Sequence, residues 1–141
     1  MCSSDLDAEA GVLEVARRNA AKHGLDVDFR QGRWFGPVEG ERFELVLSNP
    51  PYVAEGDPHL PALRHEPRAA LVSGVDGLDA LREIIAAAGG FLVAGGWLLL
   101  EHGHDQAAAV RDLLAGAGLA NARSWPDLSG IARVSGATLE S

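Results

Sequence analysis

The chain is poor in cysteine and carries no signal for export. Cys2 is the single cysteine among 141 residues, which excludes an internal disulfide and a metal site built from several cysteines. This cysteine usage fits a reducing compartment, and the amino end lacks the pattern of a secretory signal peptide. We therefore expect a cytoplasmic protein.

Positive charge is also scarce. Twelve Lys and Arg residues stand against 20 Asp and Glu residues, so the formal net charge is −8. A surface that binds a nucleic acid needs clustered positive charge to neutralise phosphates, and only short pairs such as Arg17-Arg18 are present. This balance argues against a nucleic acid held by this chain alone.

Long hydrophobic runs are missing as well. The longest uncharged stretch, residues 84–100, has 17 residues and is interrupted by Gly89-Gly90 and Gly95-Gly96. A membrane-spanning helix needs about 20 apolar residues, so this stretch predicts a helix end, a turn and a buried strand instead. With 47% hydrophobic and 23% charged residues, the composition is that of one ordinary globular domain.

Strand and helix patterns alternate along the chain. This alternation predicts an α/β fold with a mostly parallel, doubly wound sheet that ends in a hairpin-like pair of strands. Met1 to Ser4 show no apolar strand character. The predicted helices are 8–23, 79–93 and 106–116, and the predicted strands are a short one at Val27 and Phe29, then 43–48, 97–100, 119–125 and 131–139.

The most informative motif is Ser-Asn-Pro-Pro-Tyr at residues 48–52, directly after the apolar strand 43–48. Two prolines fix their own φ angles and make a stiff bend, which holds Asn49 and Tyr52 at the carboxyl end of the strand. In open α/β sheets ligands bind at that end. An asparagine amide beside proline carbonyls suits a planar NH2 group, on which Tyr52 can stack.

Two further positions are candidates for a nucleotide-like ligand. Asp7 precedes a predicted helix, where it is either the N-cap or an acceptor for ribose hydroxyls, and Asp5 competes for the second role. Trp34-Phe35 lies in a loop flanked by glycines, where the pair either packs in the core or supports an adenine ring.

Several charged residues near the same sheet edge are weaker candidates. Glu66 lies in the proline-rich loop 49–68, and Glu101 follows the apolar run 98–100, so either can touch a ligand or simply be solvated. His102 and His104 lack a third ligand at a suitable spacing, and we expect no metal site.

With these positions in hand, the chain resembles the catalytic domain of the release factor glutamine methyltransferase family from Asp7 to its end. The Asn-Pro-Pro-Tyr motif alone is shared by several classes of S-adenosylmethionine-dependent methyltransferase, so the resemblance depends on the combination. The residues that carry it are Asp7, Ala16-Arg17-Arg18-Asn19-Ala20, Trp34-Phe35, Ser48 to Val53, Asp57-Pro58-His59-Leu60, Arg64, Glu66-Pro67, Gly95-Gly96, Leu99 to Gly103, Asp105-Gln106, Asp127-Leu128, Gly130 and Arg133-Val134.

The resemblance implies a Rossmann-like class I methyltransferase fold with S-adenosyl-L-methionine as cofactor. It implies that Asp7 holds the cofactor ribose, that Trp34 flanks the adenine and that Asn49 lies next to the methyl donor. The implied reaction methylates the side-chain amide of the glutamine in the Gly-Gly-Gln loop of peptide chain release factors.

In the implied substrate site, Asn49, Pro50, Pro51 and Tyr52 surround the glutamine amide, and Asn49, Pro50 and Tyr52 take part in catalysis. Because an amide nitrogen is a poor nucleophile with a pKa far above that of any side chain, catalysis is expected to come from positioning and electrostatics. No metal is required.

The sequence departs from the family pattern in two ways. Arg33 stands before Trp34 where the family has an acidic residue. The family's first strand, the glycine-rich loop after it and the family's small helical domain are absent, so we expect residues 1–141 to be a partial, amino-terminally truncated catalytic domain.

Three alternatives stay open. A ribosomal protein glutamine methyltransferase shares the Asn-Pro-Pro-Tyr loop and a stretch like residues 64–67. A DNA adenine methyltransferase fits the motif but not the negative charge. An inactive fragment that only binds a partner protein fits the missing glycine loop.

Overall fold

The structure is a computed structural model that describes residues 3–140, so Cys2 lies outside the described residues. Strands and helices alternate as the sequence predicts. The elements are β1 (Ser3–Asp7), α1 (Ala10–His23), β2 (Val27–Gln31), β3 (Phe43–Ser48), α2 (Asp79–Ala88), β4 (Leu92–Glu101), α3 (Ala107–Gly116), β5 (Ala120–Pro126) and β6 (Ala132–Thr138). Short 3-10 turns occur at Gly36–Val38, Leu60–Leu63 and Arg68–Ala70.

The chain forms two compact units, Met1–Glu41 and Arg42–Ser141. In the first, β1 pairs in parallel with β2, from Ser3 opposite Val27 to Asp7 opposite Gln31. Helix α1 joins these strands and ends at Gly24, whose left-handed φ of 65° lets its N–H reach the carbonyls of the last turn. The buried side chains of this unit are Leu13, Ala20, Phe35 and Val38.

The second unit contains a four-stranded sheet in the order β3-β4-β6-β5. Strand β3 is parallel to β4, whereas β6 is antiparallel to both β4 and β5. The predicted mostly parallel arrangement with an antiparallel terminal strand is therefore confirmed. Helix α2 contacts β4, and α3 contacts β5 and β6. The core is made of apolar residues from α2 (Leu81, Ile84, Ile85), α3 (Val110, Leu114) and the sheet (Leu98, Leu100, Ala137).

The predicted helix 79–93 is too long. Helix α2 ends at Ala88 before Gly89-Gly90, and β4 begins at Leu92, five residues before the predicted strand. Strand β4 advances from Leu92 to Trp97 while β3 advances only from Phe43 to Leu45, so β4 bulges there. Gly95, with a φ of 77°, provides a conformation that other residues adopt with strain.

Ser3 and Ser4, in which the sequence shows no apolar strand character, nevertheless begin β1. Periodicity missed this strand because its residues are polar and partly exposed, and backbone pairing with β2 holds it. The division into one partial domain over 1–141 stays a prediction. Within residues 3–140, none of the helices combines the length and the apolar character that a bilayer crossing requires.

Candidate active site

Asp7 is the last residue of β1 and is partly buried. Its Oδ1 atom accepts the backbone N–H of Glu9 at 2.8 Å, in a turn that leads into α1. The N-cap position belongs to Glu9, so the interpretation of Asp7 as the N-cap is wrong. The second oxygen, Oδ2, makes no hydrogen bond or ion pair among the described residues. Asp5, the competing candidate, is exposed in the middle of β1.

Trp34 and Phe35 have different environments. From the sequence, the pair was expected either to pack in the core or to support an adenine ring. Phe35 is buried in the core of the first unit. Trp34 is only partly buried and has a φ of 48°, an uncommon conformation for a bulky residue. The Arg33 guanidinium lies over the Trp34 ring, 5.3 Å from its centroid. Strained backbone of this kind occurs preferentially at functional sites.

The Asn-Pro-Pro-Tyr motif follows β3 directly, as predicted. Asn49 is exposed, and in the part of the chain that the structure describes its side chain makes no hydrogen bond. Pro50 is buried and Pro51 is partly buried, so the bend packs against the protein while the Asn49 amide faces solvent. This arrangement leaves both the carbonyl oxygen and the NH2 group of Asn49 available to a ligand.

Tyr52 is held at both of its ends. Its hydroxyl donates to Glu101 Oε1 at 3.2 Å, and its backbone carbonyl accepts from Gln106 Nε2 at 3.1 Å. Partial burial, followed by the nearby Glu101 carboxylate, raises the Tyr52 pKa, so the phenol is neutral near neutral pH. Glu101, predicted as a possible ligand contact, therefore contacts the motif itself.

The loop after the motif is tied to residues 71–74. Val53 donates to the Leu71 carbonyl at 2.8 Å and accepts from the Ser73 N–H at 2.9 Å, which forms a short parallel bridge. Further along, residues 55–71 line an open cavity of about 510 Å³ with charged side chains of both signs. The motif is thus anchored on its downstream side by backbone hydrogen bonds.

Glu66, the other loop candidate, is exposed, and no hydrogen bond uses its side chain within residues 3–140. His102 is completely buried, whereas His104 is exposed. Because the Gly103 carbonyl can only accept, the His102 Nδ1 atom 2.9 Å away carries a proton. His102 Nε2 lies 2.7 Å from Ser135 Oγ.

His102 is therefore a hydrogen-bonded core residue. Among the described residues, no group of three or more His, Cys, Asp or Glu side chains is arranged to hold a metal.

Sequence reasoning assigned no role to Gln106 and Gly77. Gln106 directly precedes α3 and reaches the Tyr52 carbonyl, and Gly77 lies against the same carbonyl. Gln106 is among the residues that carry the resemblance, but a polar residue just before a helix and a glycine after an aspartate are ordinary loop signals, so nothing in the sequence indicates that either residue contacts Tyr52.

The chain is similar to known methyltransferases. The family model of the methyltransferase small domain matches residues 3–70. The chain is 54% identical over 131 residues to a release factor glutamine methyltransferase of Xylella fastidiosa, covering 91% of this chain and 48% of that protein. It is 44% identical over 132 residues to the Pseudomonas aeruginosa protein of the same name, covering 92% of this chain and 48% of that protein.

Solved structures agree on the fold. A methyltransferase from Pyrococcus furiosus matches with a TM-score of 0.71 at 17% identity, over 98% of this chain and 62% of that one. A release factor-specific protein-(glutamine-N5) methyltransferase from Alicyclobacillus acidocaldarius matches with a TM-score of 0.56 at 24% identity, over 100% of this chain and 81% of that one. The fold is thus the predicted Rossmann-like class I methyltransferase fold. The chain spans about half the length of the curated relatives it matches, and over that half it is similar to proteins named release factor glutamine methyltransferase.

Proposed function

We propose that the protein methylates the side-chain amide nitrogen of the glutamine in the Gly-Gly-Gln motif of peptide chain release factors, in the cytoplasm, with S-adenosyl-L-methionine as cofactor. The observation that carries the proposal is the exposed Asn49 side chain at the carboxyl end of β3, which makes no hydrogen bond to another residue of the range 3–140. The names of the relatives supply the substrate class.

The residues of the first unit fit the proposed cofactor. A ribose diol needs an acceptor, and Asp7 offers its Oδ2 atom at the end of β1 while Oδ1 is fixed by Glu9. Trp34, which is partly buried and has the Arg33 guanidinium over its ring, is the residue proposed to flank the adenine. When bound, S-adenosylmethionine supplies a methyl group on a positively charged sulfur.

Asn49 and Pro50 orient the substrate amide in this proposal. The Asn49 side-chain oxygen accepts one N–H of the substrate amide and the Pro50 carbonyl accepts the other. Among residues 3–140 no backbone hydrogen bond uses the Pro50 carbonyl, so it is available. These two contacts draw electron density onto the amide nitrogen and fix its direction. Such alignment can lower a barrier by roughly 7 kcal/mol or more.

The aromatic ring of Tyr52 lines one side of the proposed substrate site. Its ring is partly buried and its hydroxyl is bonded to Glu101, so the aromatic face is fixed before the substrate arrives. A planar carboxamide can stack on this face, which restricts it to one orientation. The Tyr52 phenol is neutral near neutral pH and its pKa lies above the ordinary value, so it adds no negative charge beside Glu101.

The test is methyl transfer from labelled S-adenosylmethionine to a release factor. If the coding region extends beyond this chain, the longer protein is assayed in parallel. We expect Asn49→Ala to lower kcat by about 10²–10³-fold, in the range found when one preorganised polar contact is removed. Thermal unfolding should not change, because the Asn49 side chain is exposed and makes no hydrogen bond with the residues that the structure describes.

Asn19→Ala is the matched control, since Asn19 is exposed on α1 and makes no side-chain hydrogen bond in the range 3–140. Equal transfer by Asn49→Ala and the wild type would remove Asn49 from the mechanism. Transfer to a ribosomal protein or to duplex DNA, but not to a release factor, would replace the proposed substrate. Absence of heat on titration with S-adenosylhomocysteine would favour an inactive fragment.

A further inference from the structure

Gln106 connects three backbone segments through one carboxamide. Its Oε1 atom accepts the Gly103 N–H at 2.8 Å. Its Nε2 atom donates to the Tyr52 carbonyl at 3.1 Å and points to the Asp76 carbonyl at 3.4 Å. The start of α3, the catalytic motif and the loop before α2 therefore meet at this side chain.

The chemistry of these contacts requires a primary amide. One oxygen must accept and one nitrogen must donate twice, which is what glutamine provides. A glutamate at position 106 can still accept from Gly103, but its second oxygen would face the carbonyls of Tyr52 and Asp76. A methionine has a similar length but no strong donor or acceptor.

Gly77 lies against the same Tyr52 carbonyl, next to the Gln106 amide. A Cβ atom on Gly77 would lie 2.3 Å from the Tyr52 oxygen and 2.9 Å from Gln106 Nε2. The Tyr52 carbonyl therefore packs against the Gly77 backbone while it accepts from the Gln106 amide. Since Glu101 holds the hydroxyl at the other end of the same residue, the ring has little freedom to tilt.

We propose that Gln106 is a positioning residue for methyl transfer: it holds the backbone of Tyr52 so that the tyrosine ring and the neighbouring Asn49-Pro50 pair receive the substrate amide in one orientation. The inference rests on the proposed function and adds a residue that does not touch the substrate. Its effect should appear in kcat rather than in cofactor affinity. A misplacement of about 1 Å in such a site can cost on the order of 10²-fold in rate.

Tyr52 is the single tyrosine of the chain, so its titration reports directly on this contact. The tyrosinate absorbance of the wild type is compared with that of Gln106→Met and of Asn121→Asp. Asn121→Asp is the control because it also removes a side-chain N–H donor. In the wild type, Asn121 Nδ2 donates to Thr138 Oγ1 at 3.0 Å, on the β5–β6 pair. We expect Gln106→Met to lower the Tyr52 pKa toward its ordinary value, because the ring loses its burial and its contact with Glu101. Asn121→Asp should leave the Tyr52 pKa unchanged.

Kinetics supply the second readout. We expect Gln106→Met and Gln106→Glu to lower kcat by about 10–100-fold while the affinity for S-adenosylhomocysteine stays the same. The transfer rate of Gln106→Glu relative to wild type should rise as the pH falls, since a protonated carboxyl can donate to the Tyr52 carbonyl again. The relative rate of Gln106→Met should not depend on pH.

The outcomes separate this inference from the proposed function. A wild type that methylates none of the substrates contradicts the proposed function, and the Tyr52 titration then still decides whether Gln106 positions Tyr52. If Gln106→Met transfers like the wild type, or loses transfer without any change in the Tyr52 titration, Gln106 does not act through Tyr52 and the inference fails.

Discussion

Residues 3–41 and residues 42–140 differ in how much buried apolar surface supports them. The first region has a two-stranded sheet and one helix, and α1 leaves Val12 and Val15 with 49% and 47% of their surface exposed. The second region has four strands, two helices and a set of completely buried leucines such as Leu81 and Leu100. A two-stranded sheet that relies on a single helix is close to the lower limit for a stable fold.

The candidate site residues follow the same division. Asp7 and Trp34, proposed for the cofactor, lie in the region with the small core. Asn49 and Tyr52, proposed for the substrate amide, lie in the region with the large core, and Tyr52 is fixed by Glu101 and Gln106. We therefore expect the proposed amide site to form before any ligand binds, and we expect residues 3–41 to gain stability from the proposed cofactor.

The largest expected effect comes from a matched pair of core substitutions, Leu13→Ala and Leu81→Ala. Both side chains are essentially fully buried, one in each region, and such truncations cost about 2–5 kcal/mol. We expect Leu13→Ala to remove the hydrogen-exchange protection of α1 and β2 while β4 and β6 stay protected. Leu81→Ala should lower protection in β4 and α2.

Segment-resolved hydrogen exchange with and without S-adenosylhomocysteine checks this pair. The ligand should increase protection in residues 3–41 most strongly. If Leu13→Ala lowered protection equally in β4 and β6, the two regions would unfold together and the comparison would lose its basis.

A smaller loss of stability is expected for Gly77→Ala, which perturbs only the region of the proposed amide site, residues 42–140. Gly77 has a φ of 76°, and an added Cβ would clash with the Tyr52 carbonyl. Left-handed backbone costs an alanine roughly 1–2 kcal/mol, and the clash adds to this. We expect a lower free energy of unfolding for residues 42–140 together with a loss of methyl transfer.

Gly130→Ala is the control that measures how much stability an alanine loses from left-handed backbone alone. Gly130 has a φ of 81° in the β5–β6 turn, but nothing lies within 4 Å of its added Cβ. Urea denaturation of both variants should show the larger loss for Gly77→Ala, and only that variant should lose transfer. Equal losses of stability with equal activity would mean that the contact between Gly77 and Tyr52 carries no function.

The sequence predicted the parts of this molecule that local patterns determine. The strand 43–48, the helix before Gly24 and the antiparallel pair at the carboxyl end follow from apolar periodicity and turn residues, and they are confirmed. The position of the Asn-Pro-Pro-Tyr motif after a strand follows in the same way. The polar strand β1 and the bulged start of β4 were missed because backbone pairing between distant segments, rather than side-chain pattern, forms them.

The contacts that hold Tyr52 in the candidate site could not be predicted either, because they join residues that are distant in sequence. The side chain of Gln106 contacts Tyr52 across 54 residues of sequence, and the hydroxyl of Tyr52 contacts Glu101 across 49. Their proximity arises only when β3 and β4 pair and α3 follows β4. The role of the motif itself in amide recognition stays a prediction, which the Asn49 and Gln106 variants test.

The smallest expected effect concerns acid stability of the loop that carries Gly77. Hydrogen bonds from Arg82, and then from the Leu78 N–H, lower the pKa of Asp76 to about 2. The ordinary value of an aspartate is about 3.9, so the folded protein binds this proton more weakly than the unfolded chain does. The stabilisation is therefore complete above about pH 4 and is lost as the pH falls toward 2. Because Asp76 is exposed, the effect on stability should be modest.

Urea denaturation of the wild type and of Asp76→Asn between neutral and acid pH checks this assignment. The stability difference between them should shrink as the pH falls through the range in which Asp76 is protonated. Asp112→Asn is the control, since Asp112 is exposed on α3 and forms no ion pair among residues 3–140, and it should follow the wild type. The hydrogen-exchange protection of residues 3–41 should be the same in the wild type and in Asp76→Asn. The reason is that Asp76, Leu78 and Arg82 all belong to the second region. If the stability difference between the wild type and Asp76→Asn did not depend on pH, the Asp76–Arg82 ion pair would not form in solution. The loop that carries Asp76 and Gly77 would then lack one of the contacts by which residues 42–140 are expected to hold the proposed amide site.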